Sequence, residues 1–164
     1  MKFSNQFSIN ELNEVQLYLH HAIQNIAAAG KYLLPPKDDD SHTNMTWHSK
    51  THTFYGDSIN NRARIGFNIP TFSLKIFGPT GIELAGFPLI GKSTSEAIIW
   101  VKQALQLKQI DTESLLAQMH YSIPEFPNSS ENVFPKIRTT VLEELANHRS
   151  IADEICSRIF SQHS

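Results

Sequence analysis

Residues 38–52, Asp38-Asp39-Asp40-Ser41-His42-Thr43-Asn44-Met45-Thr46-Trp47-His48-Ser49-Lys50-Thr51-His52, hold three carboxylates and three imidazoles. Carboxylate oxygen and neutral imidazole nitrogen are the donors that zinc, manganese and non-haem iron take. If 43–48 is a strand, its two-residue period puts His42, Asn44, Thr46 and His48 on one face, with Met45 and Trp47 on the other. The candidate metal ligands are then His42 and His48, with Asp40 or Asp39 beside them. His20 joins them if the loop at Pro35-Pro36 folds back to the same end. A divalent transition metal there would carry a water as nucleophile or exchangeable ligand, the working part of a hydrolase or an oxygenase. A second reading uses the same residues. Met45 and Trp47 form a buried face, the histidines meet solvent, and the aspartates are a solvated loop. The spacing matches neither a closed zinc pattern nor HExxH, and no catalytic residue is assigned.

Other chemistries have less to stand on. Cys156 is the single cysteine, which rules out an internal disulfide framework and any multi-cysteine metal site within one chain. Set in Ile155-Cys156-Ser157-Arg158-Ile159, it reads as a small packed hydrophobe, its closest base in sequence being His148, two helical turns away. There is no Gly-x-Ser-x-Gly elbow and no phosphate-binding glycine loop, so no cofactor-binding residues are assigned; Gly78-Pro79-Thr80-Gly81 is a hairpin turn. Arg62, Arg64 and Lys75 belong to the polar outer side of a sheet.

These residues need elements to hold them. Ser8-Ile9-Asn10-Glu11 has capping-box spacing, and Leu12, Val15, Leu19, Ala22, Ile23 and Ile26 then repeat on one helical stripe that Gly30 is expected to stop. His20 falls on the flank of that stripe and His21 nearly opposite it. Pro35-Pro36 ends the helix, and short alternating runs follow, clearest in Arg62-Ala63-Arg64-Ile65-Gly66-Phe67-Asn68-Ile69 and in Thr71-Phe72-Ser73-Leu74-Lys75-Ile76. The alternation slips near Ala85-Gly86, as at a β-bulge. Ser93-Thr94-Ser95-Glu96 opens a second helix to about Leu107. A short third helix is expected from Asp111 through Leu115, Leu116 and Met119, and a last one over 137–160 carrying Val141, Leu145, Ala152, Ile155 and Ile159, with His148 on the same side.

Strands in the middle and helices at the ends predict an α+β fold: an antiparallel meander of four or five strands with helices on one face. The 164 residues fit a single domain, with a potential hinge in the proline-marked stretch 123–130. Hydrophobic content of 40% and a net charge of −2 indicate a globular chain without the basic field that nucleic acid or an anionic membrane would need. Residues 1–8 contain no apolar core of a secretory signal, so the expected location is the cytoplasm. Leu17, Ile99, Trp100 and Phe77 look misplaced for a monomer, which points to a homo-oligomer or a protein partner.

An ordered set of features runs through residues 12–127. Gln24 lies late in the first helix, Pro35-Pro36 precedes His42, and a meander ends in Phe87-Pro88-Leu89. Ser95-Glu96-Ala97 then begins a helix, and Ile110-Asp111 follows. This order resembles an uncharacterised bacterial family known as a domain of unknown function. The resemblance implies a bacterial protein and brings no activity and no catalytic residues. The leading expectation is a non-catalytic binding or self-associating domain. A metal-dependent enzyme is the alternative, and the front portion of a longer protein is a third.

Overall fold

The computed structural model describes residues 8–116, 119, 121–127 and 132–162. The first helix, α1, spans Ile9–Leu33, and the Ser8 hydroxyl accepts the Glu11 N–H at its start. It does not stop at Gly30. The helix runs on to Leu33, Leu34 leaves in extended conformation, and Pro35-Pro36 follows. Two prolines can neither donate the next helical hydrogen bond nor let the preceding residue stay helical. Gly30 has a different use, because the chain after the prolines returns directly over it. A Cβ built at Gly30 would lie 2.3 Å from the His42 carbonyl oxygen.

Five strands follow as an antiparallel meander in the order β1-β2-β3-β4-β5: Thr46–His48, Thr53–Tyr55, Arg64–Asn68, Ser73–Phe77 and Glu83–Pro88. Cross-strand pairing sets Trp47 beside Phe54, Phe54 beside Phe67, Phe67 beside Leu74 and Leu74 beside Phe87. That row, with Ile65 and Ile76, is the sheet's contribution to the core. The register slips between β4 and β5, where Phe77 pairs with Glu83 and Ile76 with Ala85, so the bulge falls at Leu84 rather than at Ala85-Gly86.

The helices cover the core-forming face. α1 crosses β3; the second helix, α2 (Thr94–Gln106), lies on β4 and β5; and the third, α3 (Thr139–Gln162), begins against β1. At the start of α2 the full capping box forms between Ser93 and Glu96. The stretch 111–116 is a turn rather than a helix, held by the Asp111 carboxylate accepting the Glu113 N–H, and residues 117 and 118 lie outside the described residues. Of the proline-marked stretch, 123–127 is irregular chain, and 128–130 lie outside the described residues.

Aromatic rings link these layers. Phe72, fully buried at a positive φ in the β3–β4 turn, packs edge-on to Phe67 and Phe134, and Phe126 continues the chain to Tyr18 and His21 on α1. On the opposite face of the sheet Lys75 pairs with Glu83 at 2.7 Å, and Phe77 folds over Gly66 beside Tyr55. Phe77 is therefore only 7% exposed. Trp100 stacks on Phe87 and Leu17 is half-buried, which leaves Ile99 as the one exposed member of the four residues that look misplaced in the sequence.

Candidate association surface

The histidines and aspartates singled out by type do not meet. Asp40 adopts a left-handed conformation and opens a short 3-10 turn, Ser41–Thr43, so the strand begins only at Thr46. His42 is thereby buried in the turn, where its Nδ1 accepts the Lys37 N–H at 3.2 Å, and it shares no strand face with His48. His48 is exposed on β1 with its ring 4.7 Å from Tyr55, and His20 is exposed on α1. Asp39 accepts hydrogen bonds from Ser41, which hold its carboxyl below the usual range. Among the described residues no group of three or more His, Cys, Asp or Glu side chains is placed to hold a metal ion.

The feature that does stand out is on α3. The start of this helix is fastened to the body. Arg138, one residue before it, forms a two-pronged ion pair with Glu11, whose oxygens lie 2.6 to 2.9 Å from its nitrogens. Val141, Leu142 and Ala146 are buried, and Ser150 accepts the indole N–H of Trp47 at 3.2 Å. Beyond Ser150 most of the helix surface is exposed. Ile155 and Ile159 are 54% and 51% exposed, and Ile151 and Phe160 are exposed as well. Cys156 sits among them in solvent, contrary to the packed position its apolar neighbours in sequence imply.

The exposed and buried halves belong to one stripe. Residues 141, 145, 148, 152, 155 and 159 alternate spacings of four and three, the repeat by which one helix seams against another. At the centre of the stripe α3 and α1 diverge over β2 and leave a groove of about 470 Å³. Leu19, Ile23, Phe54 and Leu145 give it an apolar lining, with His20 and Arg149 among its polar members. Arg149 lies over the Phe54 ring, 5.5 Å from its centroid, and His148 turns to Glu144 at 3.0 Å. The helix-spaced apolar residues were readable in the sequence. That only the first half of them has a floor was not, because the floor is β1, β2 and α1.

No helix among the described residues is long and apolar enough to cross a membrane. Comparison with protein-family models, with curated proteins and with solved structures found no match for this chain.

Proposed function

We propose that this chain is a non-catalytic association domain that pairs with a second copy of itself through the C-terminal half of α3. The observation that carries the reading is the row Ile151, Ile155 and Ile159, which stays exposed on a helix whose first turns are buried. An isolated helical segment of about a dozen residues is marginal in water. This one is largely exposed and carries branched apolar side chains at seam positions. A covering surface stabilises both the helix and the stripe.

The stripe is also complementary to itself. Two α3 helices laid antiparallel with unlike seam positions in register set Ala152 of one copy opposite Ile155 of the other, and His148 opposite Ile159. Small then meets large at one layer, and the free end of each helix runs along the apolar groove of its neighbour. Such a contact is isologous and closes as a dimer. The setting we assign is a bacterial cytoplasm, on the strength of the single cysteine and the family resemblance.

The test is sedimentation velocity with light scattering over a wide concentration range. The expected result is a monomer–dimer equilibrium that the double variant Ile155→Asp/Ile159→Asp shifts to monomer while its circular dichroism keeps the wild-type sheet signal. A wild-type chain that stays strictly monomeric at the highest concentration overturns the reading.

A further inference from the structure

The groove of about 470 Å³ between α1 and α3 has the size of a small-molecule site, which runs from about 300 to about 1,000 Å³. Its walls extend from Gln16 to Ile23 on α1 and from Leu145 to Ala152 on α3, about 10 Å of helix each. Phe54 of β2 and Ile69, directly after β3, form the floor. Leu19, Ile23, Phe54 and Leu145 pack against the core yet remain half-buried, because the diverging helices leave one side of each uncovered. Covering that side with hydrocarbon is favourable in proportion to the area removed from water.

The polar side chains of the lining add a charge to this apolar surface. Arg149 lies over the Phe54 ring, and among the described residues its guanidinium makes no hydrogen bond and no ion pair. On the facing wall the Gln16 amide and the His20 ring also have no hydrogen-bond partner among the described residues, and each offers an N–H donor. His148 is the exception, held by Glu144 at 3.0 Å.

Charge decides what fits. Arg149 is the permanent cation of the groove, and among the described residues no Asp or Glu lines it. A guanidinium presents its N–H groups as a fork that the two oxygens of a carboxylate match. One such fork suits a monoanion better than a phosphate dianion. Its place over Phe54 limits the freedom Arg149 would lose on pairing. A small free anion would leave the apolar floor in water, and an uncharged chain would leave the guanidinium unpaired. The complement to both is a carboxylate carried on a hydrocarbon chain.

We propose that this groove binds a single-chain carboxylate of medium length, with its head on the Arg149 fork and its chain along Leu19, Ile23, Phe54 and Leu145. The groove is complete within one copy, so binding does not require the pairing of α3. Where that pair forms, the ligand and the incoming helix end claim the same floor, and the ligand favours the monomer. That last consequence rests on the pairing proposed above.

The experiment is a titration with octanoate followed by ¹H–¹⁵N correlation spectra, with octanol and acetate as comparisons. It uses the full-length chain and its Ile155→Asp/Ile159→Asp variant, whose substituted positions do not line the groove. Octanoate is expected to give saturating shifts at Leu19, Phe54 and Arg149 of the double variant. Arg149→Gln, at an exposed position, is expected to weaken binding about tenfold or more in that background. Leu19→Trp, which fills the space and leaves Arg149 in place, is expected to abolish it. No saturating shift of the double variant at millimolar octanoate would overturn the proposal. So would binding of octanol or acetate as tight as that of octanoate, or undiminished octanoate binding by Arg149→Gln. Octanoate binding by the double variant beside a strictly monomeric wild type would support this site and remove the pairing alone.

Discussion

Gly30→Ala inverts a common rule. In the middle of a helix, alanine is favoured over glycine by about 0.8–1 kcal/mol, so the substitution would ordinarily stabilise. Here the new methyl would stand 2.3 Å from the His42 carbonyl oxygen, 3.0 Å from the Thr43 Cα and 3.2 Å from the His42 carbonyl carbon. All three are backbone atoms, so no rotamer change relieves them, and α1 and the turn must separate by about 1 Å to reach ordinary contact distance. Overpacking of this kind costs about 1–3 kcal/mol. The same movement strains the Lys37 N–H to His42 Nδ1 hydrogen bond, worth about 1 kcal/mol. Against the propensity gain, the net expected loss is about 1–2 kcal/mol. For a chain of this length that lowers the melting temperature by about 2–8 °C. Thermal and urea unfolding of the variant beside the wild type measure it. A variant as stable as the wild type, or more so, would show that the turn does not close over α1 as described.

Three further outcomes are expected. Phe134→Ala empties a fully buried site between Phe72 and Phe126 and should cost about 3–5 kcal/mol in urea unfolding; a loss below 1 kcal/mol would mean that the ring is not in the core. The His21 pKa, followed by NMR, should lie below 6.5, with burial as the main cause. Because the folded state then binds its proton later than the unfolded state, His21 leaves stability untouched above pH 6.5 and subtracts from it as pH falls through 6.5 toward the folded value, a loss that His21→Gln should lack. Cys156 should react with a maleimide in the native state, since it is exposed, and react more slowly at concentrations where α3 ends pair; slow reaction at every dilution would contradict the open helix end.

Local periodicity was enough to read most of the scaffold. The capping boxes at Ser8 and Ser93, the alternation around Ile65 and Phe67 and the long stripe of α3 all became elements where the pattern put them, because each is decided by neighbours in sequence. The misreadings share a cause. Gly30 resembled a helix stop, but its missing side chain serves a close approach from His42, twelve residues away. The 111–119 segment has helical spacing of leucines, yet Leu115 reaches the core from a turn in which the Asp111 carboxylate accepts the Glu113 N–H. Thr53-Phe54-Tyr55 was too short to be seen as β2. The cleft of about 290 Å³ beside α1 was the least legible part, since its walls come from α1, α2 and the separate residues Met119, Tyr121, Ile123 and Asn132. One local sign existed: Asn25, three residues after Ala22 and four before Ala29, is a polar residue on the most buried side of α1.

The two borders of the sheet have a bearing on what concentrated protein can become. β1 offers only three residues to an incoming strand, and at the other border β5 is kinked by its bulge at Leu84 and ends in Pro88, which has no N–H to give. Neither border is a template for adding strands without limit. A crowded solution of this chain should therefore yield particles of fixed size, and seeding it with its own aggregates should not produce thioflavin-positive fibrils.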